Sequence, residues 1–228
     1  DSGSTDRTVE IATAAGARII HNAWPGYGPQ KRFAEQAARH DFVLNIDADE
    51  WLTPEAIAEI ADLKARDFAG FHFFRFRLPH VYPGHDRPRV FADAHVYIRL
   101  YDRRRGGFPE SLVFDEVTTT EPVREMAGAI WHQSVRDLTS FAKKEERYFA
   151  LQTVEIKATP KRRLKWALRL PFEYPFQFLK YYFGRRHVTG GLFGLQFSHV
   201  MAVARQKRLV MLLRGRRDAG AKAAGLKT

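Results

Sequence analysis

Apolar residues along the chain fall alternately at helical spacing and in short uninterrupted runs, and each change of pattern predicts the end of one element and the start of another. The opening Asp1-Ser2-Gly3-Ser4-Thr5-Asp6-Arg7-Thr8 is a polar turn rich in helix-capping side chains. Val9, Ile11 and Ala12 follow at helical spacing, with Gly16 as a natural stop. Ala17-Arg18-Ile19-Ile20-His21 predicts a strand. The loop from Asn22 to Pro29, holding Pro25, Gly26 and Gly28, leads into a helix from about Gln30 to Ala38. Phe42-Val43-Leu44-Asn45-Ile46 then reads as a buried strand around which the chain is organised, with Asp47 and Asp49 emerging at its carboxyl end. Thr53 and Pro54 open a helix carrying Ile57, Ile60 and Leu63 on one face. Strands and helices alternating at this spacing predict an α/β fold with a mostly parallel sheet covered on both faces.

The pattern changes after Gly70. Residues Phe71 to Leu78 and Ala94 to Tyr101 alternate as two strands, separated by a loop with Pro79, Pro83, Gly84 and Pro88. Leu112-Val113-Phe114 and Ala129-Ile130-Trp131 read as further short strands. A long helix is predicted from about Arg136 to Lys157, and Pro160 ends it. Beyond it, aromatic and cationic residues mix from Leu164 to Phe183, and Pro171 and Pro175 are expected to interrupt the helix. Lys165, Arg169, Glu173 and Lys180 argue against a spanning helix. The stretch from His187 to Ala204 is uncharged and holds Gly190, Gly191 and Gly194, and the tail as a whole fits an in-plane amphipathic or re-entrant anchor better. The competing reading is a helical subdomain packed on the core with basic solvent faces.

Composition narrows the choices. With 45% hydrophobic and 13% aromatic residues in 228, the chain can bury a real core, which excludes a disordered polypeptide. It has no cysteine, which excludes disulfides and thiolate metal sites. The net charge of +11 is uneven: residues 1–156 hold 20 Lys and Arg against 24 Asp and Glu, whereas residues 157–228 hold 17 against 2. A basic, aromatic tail suits an anionic membrane surface or a nucleic acid. The acidic body would repel nucleic acid and carries no recognised binding motif for it, so no nucleic-acid partner is expected and the membrane surface is preferred.

Two carboxylates spaced i, i+2 at the tip of a strand can aim oxygens at one point. That suits a hard divalent cation that also holds phosphate oxygens, at the sheet edge where α/β ligands bind. The bland alternative is a solvated turn. An aspartate-nucleophile phosphatase also uses Asp-x-Asp after a strand, but Trp51 stands where its usual threonine would be.

Four stretches together, Asp1 to Thr8, Gly26-Tyr27-Gly28-Pro29-Gln30-Lys31, Asp47-Ala48-Asp49-Glu50 and Ile130-Trp131-His132-Gln133-Ser134, resemble the inverting family 2 glycosyltransferases of the GT-A fold, and among them the lipopolysaccharide-core glucosyltransferases. Gly190-Gly191-Leu192-Phe193-Gly194 also resembles that family's glycine-rich, membrane-facing tail. The resemblance implies a Rossmann-like GT-A domain over residues 1–135 and a helical, membrane-associated region over residues 136–228. In the family a full first β-α-β unit precedes the opening turn, so the chain is expected to be N-terminally truncated.

By that resemblance, Asp1 contacts the uracil or ribose of a UDP-sugar donor, where a turn aspartate capping the next helix is the alternative. Lys31 sits near the nucleotide, at a helix start whose amides favour anions. Asp47 lies near ribose and metal, Asp49 binds Mg²⁺ or Mn²⁺, and His132 is a late metal or diphosphate ligand or else a structural histidine. Glu116 is the candidate base, with Asp115 second; both could instead form an exposed acidic turn, and the family tends to show His-Glu at this pair. Arg99, Arg103, Arg104 and Arg105 could greet a phosphorylated acceptor, and the loop after Leu78 is expected to border the acceptor site. The implied reaction is metal-dependent, inverting transfer of a sugar, glucose first, from UDP to a lipid-linked acceptor such as lipopolysaccharide core. Its implied place is the cytoplasmic face of the inner membrane, as a peripheral or monotopic protein. A polyprenyl phosphate or other polysaccharide precursor is the alternative acceptor, and a basic nucleic-acid-binding protein the alternative from another class.

Overall fold

A computed structural model describes residues 1–156 and 158–214. Helix α1 (Thr8–Ala14) follows the opening turn. Residues 17–21 are largely exposed and form no strand. Their link is to the first residue: the Asp1 amine donates to the Ile20 carbonyl and the Asn22 amide to the Asp1 carbonyl, both at 2.8 Å. Helix α2 (Tyr27–Gln36) starts three residues before the expected Gln30.

Strand β1 (Phe42–Leu44) is short and lies at an edge of the sheet, not at its centre. Strand β2 (Glu50–Leu52) leads into helix α3 (Pro54–Ala65). As expected, Thr53 caps α3, its hydroxyl accepting from the Ala56 amide at 3.3 Å, and Pro54 fills the first turn. The buried face differs slightly: Ala56 and Leu63 are enclosed and Ile60 is partly so, while Ile57 is exposed.

Strands β3 (Phe73–Pro79), β4 (Ala94–Asp102) and β5 (Val123–His132) complete one sheet in the order β1-β4-β3-β5-β2. Among the described residues only the β3–β5 pairing is parallel; β1–β4, β3–β4 and β2–β5 are antiparallel. The sheet is therefore mixed and not mostly parallel. The chain leaves β3 through a loop with no crossover helix, so β4 returns beside it in the opposite direction. Residues 112–114 form a loop and not the expected strand.

One core packs α3 on the sheet through Ala56, Leu63, Phe74, Phe76, Leu78, Leu100, Met126 and Ile130; a second gathers Phe73, Tyr101, Phe108 and Val117. Contact between α3 and β5 depends on Gly128, where a Cβ would run into the Ala56 backbone and stand 2.7 Å from the Ala56 methyl. The Glu59 carboxylate accepts from the Ala127 and Gly128 amides at 3.0 Å and fixes that approach.

After β5 the described residues form a helical region: α4 (Leu138–Glu155), α5 (Pro160–Leu179), a π-type turn (Lys180–Gly184), a 3-10 turn (His187–Gly190) and α6 (Gly191–Arg214). Pro160 not only follows the first of these but opens the next, behind the Thr159 cap. Helix α5 continues through Pro171 and Pro175, which do not interrupt it. Its neighbour α6 is embedded in the bundle, with Ser198, Met201 and Ala202 buried. Among the described residues no helix is long and apolar enough to cross a membrane. Gly128→Ala should cost on the order of 1–3 kcal/mol, read as a lower urea midpoint at unchanged slope.

Candidate active site

A bulge in β4 builds the centre of the site. Opposite β3, Phe74 pairs with Leu100 and Arg75 with Ile98, so Arg99 is the extra residue, and a bulge of this kind redirects a side chain. Arg99 is buried, and its guanidinium donates to Asn45 Oδ1 at 2.9 Å and Asp47 Oδ2 at 3.3 Å and pairs closely with the Glu50 carboxylate. The Asn45 amide donates to the Arg99 carbonyl at 2.8 Å, extending the β1–β4 ladder by one step. Glu50 Oε2 accepts from the Asp47 amide at 3.1 Å. Burial pushes the Glu50 carboxyl up, and Asp47 adds to it, against the opposing charge of Arg99. Because Arg99 on β4 reaches the first residue of β2 on the far edge, the sheet curls and the acidic segment is stretched across its end.

Lys31 joins that segment to a second one. Its ammonium lies 3.0 Å from Asp47 Oδ1 and 3.1 Å from Asp115 Oδ2, and donates to Asn45 Oδ1 at 3.4 Å. The loop carrying Asp115 and Glu116 is docked on the start of α2. The Tyr27 and Gly28 amides donate to the Leu112 and Ser111 carbonyls, each at 3.1 Å. The tight approach needs glycine: a Cβ at Gly28 would collide with Pro109 O and stand 2.7 Å from Ser111 O, and Gly26 sits at φ 127°. Those amides therefore hold a loop, where an anion had been expected.

On the other side, β2 and β5 pair Glu50 with His132, so the preceding Asp49 meets the imidazole, Oδ2 to Nε2, at 3.6 Å. The Gln133 amide fixes the Asp49 carbonyl at 2.9 Å. Burial pushes the Asp49 carboxyl up, but His132 and then Lys144 outweigh it and hold it below the usual carboxylate range. Lys31, Asn45, Asp47, Asp49, Arg99, Asp115 and His132 line one open cleft of about 540 Å³, walled by Trp24, Tyr27, Tyr97 and Tyr148, with Glu50 enclosed behind it. Tyr27 sets its ring edge against both Trp24 (4.9 Å) and Tyr148 (5.9 Å). Glu116 faces this cleft exposed and, among the described residues, without a hydrogen bond or ion pair, whereas Asp115 is held by Lys31. Burial, with the charges of Glu116 and Asp115, pushes the Tyr97 phenol up to about 12.

A sequence model described as glycosyl transferase family 2 matches residues 1–118. The chain belongs to glycosyl transferase family 2. An uncharacterized glycosyltransferase of Rickettsia prowazekii (strain Madrid E) is 33% identical over 222 residues, covering 93% of this chain and 75% of that protein. One from Rickettsia felis is 32% identical over the same length, covering 93% and 78%. A third, from Mycobacterium tuberculosis (strain CDC 1551), is 32% identical over 138 residues, covering 50% and 63%. The curled, mixed α/β sheet fits the GT-A fold of such transferases.

In this family 2 transferase the cleft brings together Lys31, Asp47, Asp49, Asp115, Glu116 and His132. Asp1 is placed elsewhere: its carboxylate accepts from the Gly3 amide at 2.7 Å and the Ser4 amide at 3.1 Å, as a turn aspartate does, and it does not line this cleft. The arginines divide. Arg99 enters the cleft, while Arg103 binds the His40 carbonyl, Arg104 pairs with Asp102 and Asp41, and Arg105 with Glu121. The loop after β3 is packed on the helical region, with Tyr82 Oη 2.5 Å from His187 Nδ1.

Among the described residues no three His, Asp or Glu side chains converge as a ready metal site. Asp49 and His132 nonetheless fit a hard divalent cation as two neighbouring protein donors, to be completed by diphosphate and water oxygens; Asp47 is engaged by Lys31 and Arg99. Sequence reasoning missed Asn45, Glu50, Lys144, Glu145 and Tyr148, of which only Glu50, directly after the acidic pair, gave any signal. Arg99→Met should cost about 3–5 kcal/mol by leaving Glu50 buried and unpaired, and adding Glu50→Gln should restore much of it. Denaturant melts of the two variants check both statements.

Proposed function

We propose that this transferase moves a sugar from a UDP donor to a lipid-linked acceptor, with inversion at the anomeric carbon. The observation that carries the reading is that one cleft is lined both by the unpaired Glu116 carboxylate and by Lys31, Arg99, Lys144, Asp49 and His132. An acceptor hydroxyl is a poor nucleophile until its proton leaves. Glu116 accepts that proton as the acceptor oxygen attacks the anomeric carbon, and the bond to the diphosphate oxygen breaks on the opposite face. UDP departs with the electron pair, and the new glycosidic bond has the inverted configuration. Lys31 and Lys144 offer positive charge to the diphosphate, with Arg99 behind them holding the acidic segment in place, and charge fixed in the cleft is where electrostatic stabilisation gives most. A divalent cation held by Asp49 and His132 would add Lewis-acid stabilisation of the same leaving group.

The aromatic wall of Trp24 and Tyr27 offers ring edges and faces to the nucleoside. The basic, aromatic helical region supports an acceptor presented at a membrane, and the resemblance to lipopolysaccharide-core enzymes supports glucose, the core saccharide and the cytoplasmic face of the inner membrane. The test is UDP release by the full-length protein from a panel of UDP-sugars, with and without EDTA. Release with at least one donor, suppressed by EDTA, is the expected result; no release with any donor contradicts the reading. Glu116→Gln should lower kcat by about 10²–10⁴ with donor KM little changed, and Asp115→Asn should cost less, as initial-rate kinetics would show.

A further inference from the structure

A helix at a protein surface in water turns its apolar face inward and its polar face out. Helix α5 also turns an apolar stripe outward. Leu164, Leu168, Phe172, Phe176, Leu179 and Phe183 recur every three or four residues, and all six are exposed, Phe172 at 70%. Pro171 and Pro175 lie exposed on the same side. The inward side mixes polar and apolar groups: Glu173 is 4% exposed and Gln177 6%, beside the partly buried Trp166 and Leu170. Glu173 is satisfied there by Arg169 at 2.7 Å and by the Gln177 side-chain amide at 2.8 Å, while Gln177 Oε1 has no partner among the described residues.

We propose that this outward stripe of α5 is an in-plane membrane-contact face that lies in the interface of an anionic bilayer. Lys161, Lys165 and Lys180 are exposed beside or at the ends of the stripe and would meet lipid headgroups, and the surrounding segment of 72 residues holds 17 cations against 2 anions. A helix of 20 residues lying flat offers about 30 Å of contact along the surface. Among the described residues none of the helices can span, so contact along the plane is the geometry available to this surface. The assignment narrows the anchor expected of the whole tail to α5, where six apolar side chains share one outward stripe; over residues 187–204 buried Ser198, Met201, Ala202 and Ala204 are interspersed with exposed Val188, Leu192 and Leu195. It deepens the lipid-linked reading above and rests on it for its purpose, since a flat α5 would hold the cleft close to a membrane-borne acceptor.

The test is flotation of the full-length protein with vesicles of phosphatidylcholine alone and of phosphatidylcholine with phosphatidylglycerol, with no donor sugar present. Wild type should float with the anionic vesicles, and Phe172→Glu/Phe176→Glu should bind about tenfold more weakly or worse, with thermal melting and UDP release in solution unchanged. Leu168→Gln, a milder change on the same stripe, should fall between them. Equal flotation of wild type and the double variant overturns the proposal, as does no flotation at all. A detergent-free dimer that the double substitution splits, without vesicle binding, overturns it in favour of a second copy of the chain. Because flotation is read without turnover, these failures are separate from failure of the transferase reading.

Discussion

A single buried guanidinium sets the geometry on which the site depends. Arg99 leaves the ladder at a bulge, and its contacts to Asn45, Asp47 and Glu50 hold both ends of the acidic segment that bridges the edges of the sheet. A charge so enclosed is costly unless well paired, and here carboxylates and an amide oxygen surround it. The same arrangement keeps Asp47 occupied with cations and leaves Asp49 to its neighbour His132. The Asp-x-Asp pair thus divides its labour, one carboxylate balancing Lys31 and Arg99 and the other lying beside the His132 imidazole.

The remaining walls come from separate parts of the chain. Gly26 and Gly28 allow the Asp115–Glu116 loop to press on α2, which brings an unpaired carboxylate into the cleft that the cations line. Helix α4 adds Lys144, Glu145 and Tyr148 from beyond the family-matched residues 1–118. The helical region therefore both completes the cleft and carries the outward apolar stripe of α5. The loop after β3 is tied to it through Tyr82 and His187, and through Arg185 with Asp93 at 2.5 Å, so that sheet and helices share one polar seam.

Much of this was written in the chain's pattern. The alternation of Phe73 to Leu78 and of Ala94 to Tyr101 gave β3 and β4, and Thr53-Pro54 gave the start of α3, because period and capping chemistry are local properties. Pairing partners are not local, so the direction of β4 and the lack of a strand at residues 17–21 could not be read from apolar runs. Arg99 stood in an arginine-rich stretch and resembled its neighbours; only the skipped register with β3 sets it apart. Pro171 and Pro175 looked like breakers, yet α5 is held along α6 by tertiary packing and tolerates two missing amide donors on its exposed side.

The central claim is that the acidic pair, Lys31 and the aromatic wall form one nucleotide-diphosphate cleft organised by Arg99. Trp24 lines that cleft half-exposed, so its fluorescence during titration of the full-length protein with UDP tests the claim most directly. A saturable change that disappears in Trp24→Phe and is strongly weakened in Lys31→Ala is the predicted result. Binding that leaves the Trp24 signal untouched, or a signal indifferent to Lys31, would contradict it.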